Sequence, residues 1–174
     1  MKNSTLLILA LLLIPLFTNA QDANLDQPTI AESDVPQEVL TNQDTLFPSG
    51  FISEWQLQKE FNNTDSTAIR YISKFEENGS SGSSASYLPD GTLIFHSKYM
   101  QADNIPETVR LKLQFDYKDF EADYADFITV YIQKREIYRI HLRKDTRVQH
   151  AFYDINGNQI PEEALPIEII LFDR

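Results

Sequence analysis

Asp34-Val35-Pro36-Gln37-Glu38-Val39 recurs 70 residues later as Asn104-Ile105-Pro106-Glu107-Thr108-Val109, and this pair of segments orders the chain. Further matches follow in sequence. Phe47 corresponds to Tyr117 at an offset of 70, Tyr71 and Phe75 to Tyr138 and Leu142 at 67, and Tyr87 and Gly91 to Tyr153 and Gly157 at 66. Offsets that shrink slowly in one direction are what loop-length differences between two copies of one unit produce. The chain therefore divides into residues 34–103 and 104–174.

Each unit opens with a helix signal: Asp34 or Asn104 near the cap, then Pro36 or Pro106 in the first turn, where a missing N–H costs nothing. The second helix competes with a strand reading, because Val109, Leu111, Leu113, Phe115 and Tyr117 alternate with polar residues. A helix gathers Ile105, Val109, Leu113 and Tyr117 on one side and leaves Leu111 and Phe115 on another. Helix is preferred, since the matching stretch from Pro36 to Leu46 does not alternate. The remainder of each unit reads as strands: Phe51 to Phe61, Ala68 to Glu76, Ser83 to Leu88 and Thr92 to Met100, then Phe120 to Gln133, Glu136 to Arg143, Val148 to Tyr153 and Ile167 to Phe172. Pro89-Asp90-Gly91 and Asn156-Gly157 supply turns, and Gly79 to Ser84 reads as a mobile hairpin tip. The expected fold class is α+β: two α-β-β-β-β repeats forming one curved antiparallel sheet, with both helices on a single face.

Outside the repeats, residues 1–20 read as a signal peptide. Lys2 precedes an apolar stretch from Leu6 to Phe17 that is too short to span a membrane, and Thr18-Asn19-Ala20 suits cleavage after Ala20. Without cysteine, lipid attachment after that stretch is chemically impossible. Residues 21–33 lack hydrophobic periodicity and are expected to form a flexible acidic lead-in. The expected location is the periplasm or the extracellular medium. The 174 residues carry 26 acids against 15 bases, a net charge of −11. Beyond Ala20 there are 14 bases and 26 acids, a net of −12. The absence of cysteine excludes thiol catalysis, disulfide scaffolds, iron–sulfur clusters and cysteine-based zinc sites.

The opening Val35-Pro36…Val39 and Ile105-Pro106…Val109, the aromatics Phe47 and Tyr117, the strand pairs Tyr71/Phe75 and Tyr138/Leu142, and the hairpin pairs Tyr87/Gly91 and Tyr153/Gly157 together resemble the PepSY-like family of exported bacterial proteins. That family is also described as similar to the β-lactamase inhibitory protein. The resemblance covers nearly all of the chain after the lead-in. It implies the two-unit sheet, no cofactor, no catalytic residues, and a partner gripped by the helix-free sheet face. The Gly/Ser tip and the long Phe120–Gln133 strand depart from it and leave a specific inhibitory loop unidentified.

The three imidazoles are His96, His141 and His150. A three-residue turn at Lys144-Asp145-Thr146 would pair Leu142 with Val148 and set His150 on the buried face, away from His141, so no metal site is expected. Asp154-Ile155-Asn156-Gly157-Asn158 has its glycine in the wrong place for a calcium loop and reads as a hairpin turn. Glu76-Glu77 and Glu162-Glu163 read as solvated surface rather than an acid–base pair. No nucleophile elbow, P-loop or dinucleotide fingerprint is present, and the chain is not expected to be an enzyme.

One segment breaks the acidic background. Residues 128–150 hold six bases and two acids, a net of +4. Parity sends Tyr138, Ile140 and Leu142 to the core and Arg139, His141 and Arg143 outward, with Arg147 expected opposite Arg143. Like charges so paired require an answer. Either the protein's own carboxylates neutralise them, those of the lead-in among the candidates, or Arg139, His141, Arg143 and Arg147 face an acidic partner or an anionic ligand. Nucleic acid does not suit this net charge. Trp55 reads as core or as an interface anchor, with core preferred. The expected function is a non-enzymatic binding protein for a protein or peptide partner, with an envelope hydrolase or a structural accessory protein as alternatives.

Overall fold

The structure is a computed structural model that describes residues 28–61 and 67–170. The signal peptide with its cleavage point, and residues 21–27 of the lead-in, lie outside the described residues, whereas the end of the lead-in is structured: Thr29 and Ile30 pair with Gln56 and Trp55, and Glu32–Asp34 forms a 3-10 turn. The strands are β1 (Thr29–Ile30), β2 (Gly50–Phe61), β3 (Thr67–Glu77), β4 (Ser80–Tyr87), β5 (Leu93–Gln101), β6 (Glu121–Val130), β7 (Arg135–Lys144) and β8 (Arg147–Asp154). They lie in sequence order in a single sheet, and every adjacent pair is antiparallel. The helices are α1 (Gln37–Leu46), α2 (Glu107–Asp116) and α3 (Ile167–Ile170). The class is α+β, as expected.

The long helices begin differently from the expectation. Pro36 and Pro106 occupy the cap itself, at φ −55° and −52° with ψ 141° in both, and neither cap receives a side-chain hydrogen bond. Asp34 and Asn104 instead close short 3-10 turns, Glu32–Asp34 and Ala102–Asn104. The residue before a proline is pushed out of the helical region, so Val35 and Ile105 are extended, at ψ 132° and 130°. The proline carbonyl then accepts the first helical N–H groups: Val39 and Leu40 on Pro36, Val109 and Arg110 on Pro106.

Helical period prevails over alternation in α2 because its fourfold stripe has a core to enter. Ile105, Val109 and Leu113 are buried against Ala125, Ile140, Leu142, Ala151 and Tyr153. Leu111 and Phe115, the other members of the alternating set, stay 57% and 71% exposed. Under α1, Val35 and Val39 meet Phe47, Trp55, Phe75, Ala85 and Tyr87, so Trp55 is a core residue. Gly91 and Gly157 close each unit against its helix at φ +83° and +79°. A Cβ would lie 2.8 Å from the Glu38 carbonyl oxygen in the first case and 3.0 Å from that of Thr108 in the second.

Three expectations need correction. First, the expected strand Ile167–Phe172 is helical over its described part: Ile167–Ile170 is a helical turn, α3. The signal overlooked is a third opening, Leu165-Pro166…Ile169 after the 3-10 turn Glu162–Ala164, spaced as Ile105-Pro106…Val109 is. Its side chains cover the face opposite α1 and α2, where Ile160, Leu165 and Ile169 pack on Ile128, Val130, Ile137 and Phe152. Strands β6 to β8 are apolar on both faces there, and both faces must be covered. The two long helices thus share a face while a third element occupies part of the other, and among the described residues the second unit has three long strands rather than four.

Second, the β7–β8 turn has two residues, Asp145 and Thr146, with Lys144 facing Arg147. Asp145 sits at φ +54°, a conformation that Asp tolerates and that two-residue hairpins need. A one-residue change of register inverts the faces of the partner strand, so His141 faces His150, Leu142 faces Gln149 and Arg143 faces Val148. Third, the Gly/Ser run is no tip. The turn is Asn78-Gly79, both at positive φ, and Ser80 to Ser84 belong to β4.

Candidate binding face of the sheet

Strand parity assembles the candidate site on the face opposite α1 and α2, at the β5–β8 end. Arg139, His141 and Arg143 project there from β7, as expected. Arg147 does not: it pairs with Lys144, which stands on the opposite parity from Arg143, and Val148 takes the place expected for it.

The basic stripe is answered from within. Arg139 donates to Asp126 Oδ2 from Nη2 at 2.8 Å and from Nε at 3.1 Å. Arg143 Nε donates to Asp123 Oδ2 at 2.7 Å, and Lys144 Nζ to Asp119 Oδ2 at 2.9 Å. The acids come from β6 and the segment leading into it. Asp123 sits at a bulge in β6, between Ala122 and Tyr124, and bulges re-aim side chains. Neutralisation by the protein's own carboxylates, one of the two readings of the stripe, is therefore the arrangement at Arg139, Arg143 and Lys144.

Asp126 joins two of these residues. The same Oδ2 that meets Arg139 lies 3.2 Å from His141 Nε2. Burial alone would raise the carboxyl's pKa, but the hydrogen bond from His141 and the Arg139 guanidinium outweigh it and hold Asp126 below the ordinary carboxylate range. On its other side, His141 Nδ1 lies 3.1 Å from His150 Nε2. An acceptor at Nε2 fixes the proton of a neutral imidazole there, so His141 presents a lone pair at Nδ1 and His150 donates to it.

Aromatic rings continue this chain across four strands. Tyr99 on β5 lies 5.4 Å from Tyr124 on β6, Tyr124 stacks on His141 at 3.9 Å, and His141 meets His150 edge-on at 4.3 Å between centroids. Tyr99 and Val148 at its margins are 43% and 62% exposed. Nothing in the one-dimensional pattern marks Tyr99 and Tyr124 as neighbours, since they meet only through the β5–β6 register.

Toward α3 the face changes character. A groove of about 170 Å³ is lined by Lys74, Ser84, Ser97, Phe95, Arg139 and Ile169, with Arg70 at its wall. Arg70 is buried, donates to Gln58 and to Ser86 Oγ, and lies 5.1 Å over the Phe95 ring. Parity alone could have marked it, because Arg70 and Ile72 share a face opposite Tyr71 and Ser73.

The remaining candidates are structural. His96 packs against both Phe47 and Phe75, with ring centroids at 4.9 and 6.0 Å, and burial lowers its pKa. Asp154 spends its carboxylate on its own turn, accepting from the Asn156 and Asn158 backbone and from Asn158 Nδ2. Among the described residues, no group of three or more His, Cys, Asp or Glu converges, and no helix is long and apolar enough to cross a membrane.

No family model and no curated protein matches the chain. Solved structures share its fold. A DUF2874 family protein from Bacteroides ovatus is 14% identical, with the match covering 73% of this chain and 85% of that one at a TM-score of 0.57. A BLIP-like protein from Bacteroides fragilis is 9% identical over 73% and 84%, also at 0.57. A protein from Bacteroides eggerthii, provisionally described as periplasmic, is 13% identical over 73% and 86%, again at 0.57. At such identities the likeness is one of fold: this chain has the architecture of the DUF2874 and BLIP-like structures.

Proposed function

We propose that the chain is an exported, non-enzymatic binding protein that engages a protein or peptide partner through the β5–β8 end of the sheet face opposite α1 and α2. The observation that carries this reading is the row of rings from Tyr99 to His150, edged by the Arg139–Asp126 and Arg143–Asp123 pairs. Rigid aromatics beside oriented arginines are the composition of interface hot spots, because they bury much area while losing little side-chain entropy. Export is supported by the Lys2, Leu6–Phe17 and Ala20 pattern and by the periplasmic description of the similar B. eggerthii protein. A gripping role for this face is what the resemblance to the β-lactamase inhibitory protein implies, and a solved structure of the same fold is described as BLIP-like.

The test is affinity capture from the native cell envelope with the wild type, a Tyr99→Ala/Arg143→Glu variant, and a Leu111→Ala control on the far side of α2. A partner retained by the wild type and the control and lost by the face variant supports the reading. Equal recovery by all three refutes it.

A further inference from the structure

We propose that His141 and His150 form a binding site for a divalent transition-metal ion, with Cu²⁺ held most tightly. The inference rests on cross-strand geometry and is independent of any protein partner. The facing nitrogens, His141 Nδ1 and His150 Nε2, are 3.1 Å apart. Two metal–nitrogen bonds of about 2.05 Å drawn from nitrogens at that separation subtend about 98°, between the square-planar and tetrahedral angles.

His141 is prepared for such a bond. The Asp126 carboxylate on its Nε2 fixes the tautomer that leaves Nδ1 unprotonated, the carboxylate–histidine arrangement that orients metal ligands and raises their basicity. Arg139 holds that carboxylate, and the Tyr124 ring stacked at 3.9 Å fixes the imidazole plane. His150 is the adjustable member. It moves its proton from Nε2 to Nδ1, so that the metal takes the proton's place between the rings with no net change in charge on the neutral imidazoles. Because the His141 ring is held, the reorientation of about 40° off the line between the nitrogens falls on His150, within reach of its soft terminal torsion. With two protein ligands, the remaining coordination positions belong to water. Imidazole nitrogen selects Cu²⁺, Ni²⁺ and Zn²⁺ over Ca²⁺ and Mg²⁺, and Cu²⁺ leads the divalent series.

The experiment is a Cu²⁺ titration of the untagged chain in excess Mg²⁺, which occupies simple carboxylate sites, followed by electron paramagnetic resonance and by paramagnetic broadening of backbone amides. One equivalent should bind with hyperfine coupling to two imidazole nitrogens, and broadening should centre on Tyr124, His141 and His150. His150→Gln, on the edge strand, should weaken binding at least tenfold with an unchanged circular dichroism spectrum, whereas His96→Gln should not. Asp126 is a positioning residue, and Asp126→Asn should weaken binding by about 10- to 100-fold while preserving the two-nitrogen signature. Absence of saturable binding, broadening centred elsewhere, or affinity unchanged in His150→Gln overturns the proposal.

Discussion

Replacing Asp126 by Asn removes one charge and little volume, which makes it a sharp probe of the site. Asp126 and Arg139 have side chains 13% and 23% exposed, so the pair is largely but not fully withdrawn from water. Removing one partner of a fully buried pair costs about 3–5 kcal/mol, and a hydrogen bond to a charged group is worth about 1.5–3 kcal/mol. Because solvent still reaches the guanidinium, the lower end applies, and Asp126→Asn should destabilise by about 2–3 kcal/mol at pH 7. With a urea slope of about 1–3 kcal/mol per M, the unfolding midpoint falls by about 1–2 M. The pH dependence has a definite sign. The folded-state pKa of Asp126 is depressed, so its stabilisation is complete above the unfolded value near 3.8 and is lost as pH falls through the lower folded value. The two proteins should therefore begin to converge below about pH 4 and coincide only once pH has fallen through that lower folded value, where protonated Asp126 has the charge of Asn. A difference below about 0.5 kcal/mol at pH 7, or one that persists undiminished in acid, would refute the assignment of Asp126 as the anion answering Arg139 and His141.

Gly91→Ala should cost more than about 1 kcal/mol, since the residue lies at φ +83° and its Cβ would meet the Glu38 carbonyl oxygen at 2.8 Å; a thermal or urea midpoint equal to wild type would contradict that packing. Ile169→Ala should cost about 2–5 kcal/mol by opening the cluster of Ile128, Val130, Ile137, Phe152 and Leu165. Chemical denaturation reads it, and a neutral result would mean that α3 does not hold the second face.

What could be read in advance was whatever depends on local period and spacing. The helix at Pro106 was legible because its matching segment at Pro36 lacks alternation, and the gathering of Ile105, Val109, Leu113 and Tyr117 on one side followed from the helical period. The outward placement of Arg139, His141 and Arg143 followed from parity along one strand. Parity across two strands did not, because it depends on turn length, and one residue at Asp145-Thr146 separates a lone His141 from a His141–His150 pair. Likewise α3 was hidden by its length: four residues, Ile-Glu-Ile-Ile, carry no period, and only the Leu165-Pro166 spacing distinguishes them from a strand.

The two units also show where likeness of sequence stops fixing chemistry. Tyr87 and Tyr153 are matched, fully buried, and reach toward α1 and α2 respectively, yet each hydroxyl finds a different partner. Tyr87 donates to Gln43 Oε1 at 2.8 Å, an oxygen that also accepts from Ser73 at 2.7 Å. The position matching Gln43 in α2 is Leu113, which has no acceptor, so Tyr153 donates instead to Asp116 Oδ2 at 3.2 Å, three residues further along. A buried hydroxyl must be paired, but the rule sets only the requirement and leaves the residue that meets it free. The same freedom acts on the helix surfaces, where Thr41 and Thr45 of α1 bond back to their own helix carbonyls while their α2 counterparts are the exposed Leu111 and Phe115. Fold is thus carried by the positions that the two units share, and specificity must be sought where they differ. His141 and His150 are such positions, since their places relative to Tyr138 and Tyr153 are filled in the first unit by Lys74 and Ser84, side chains that cannot form the same pair.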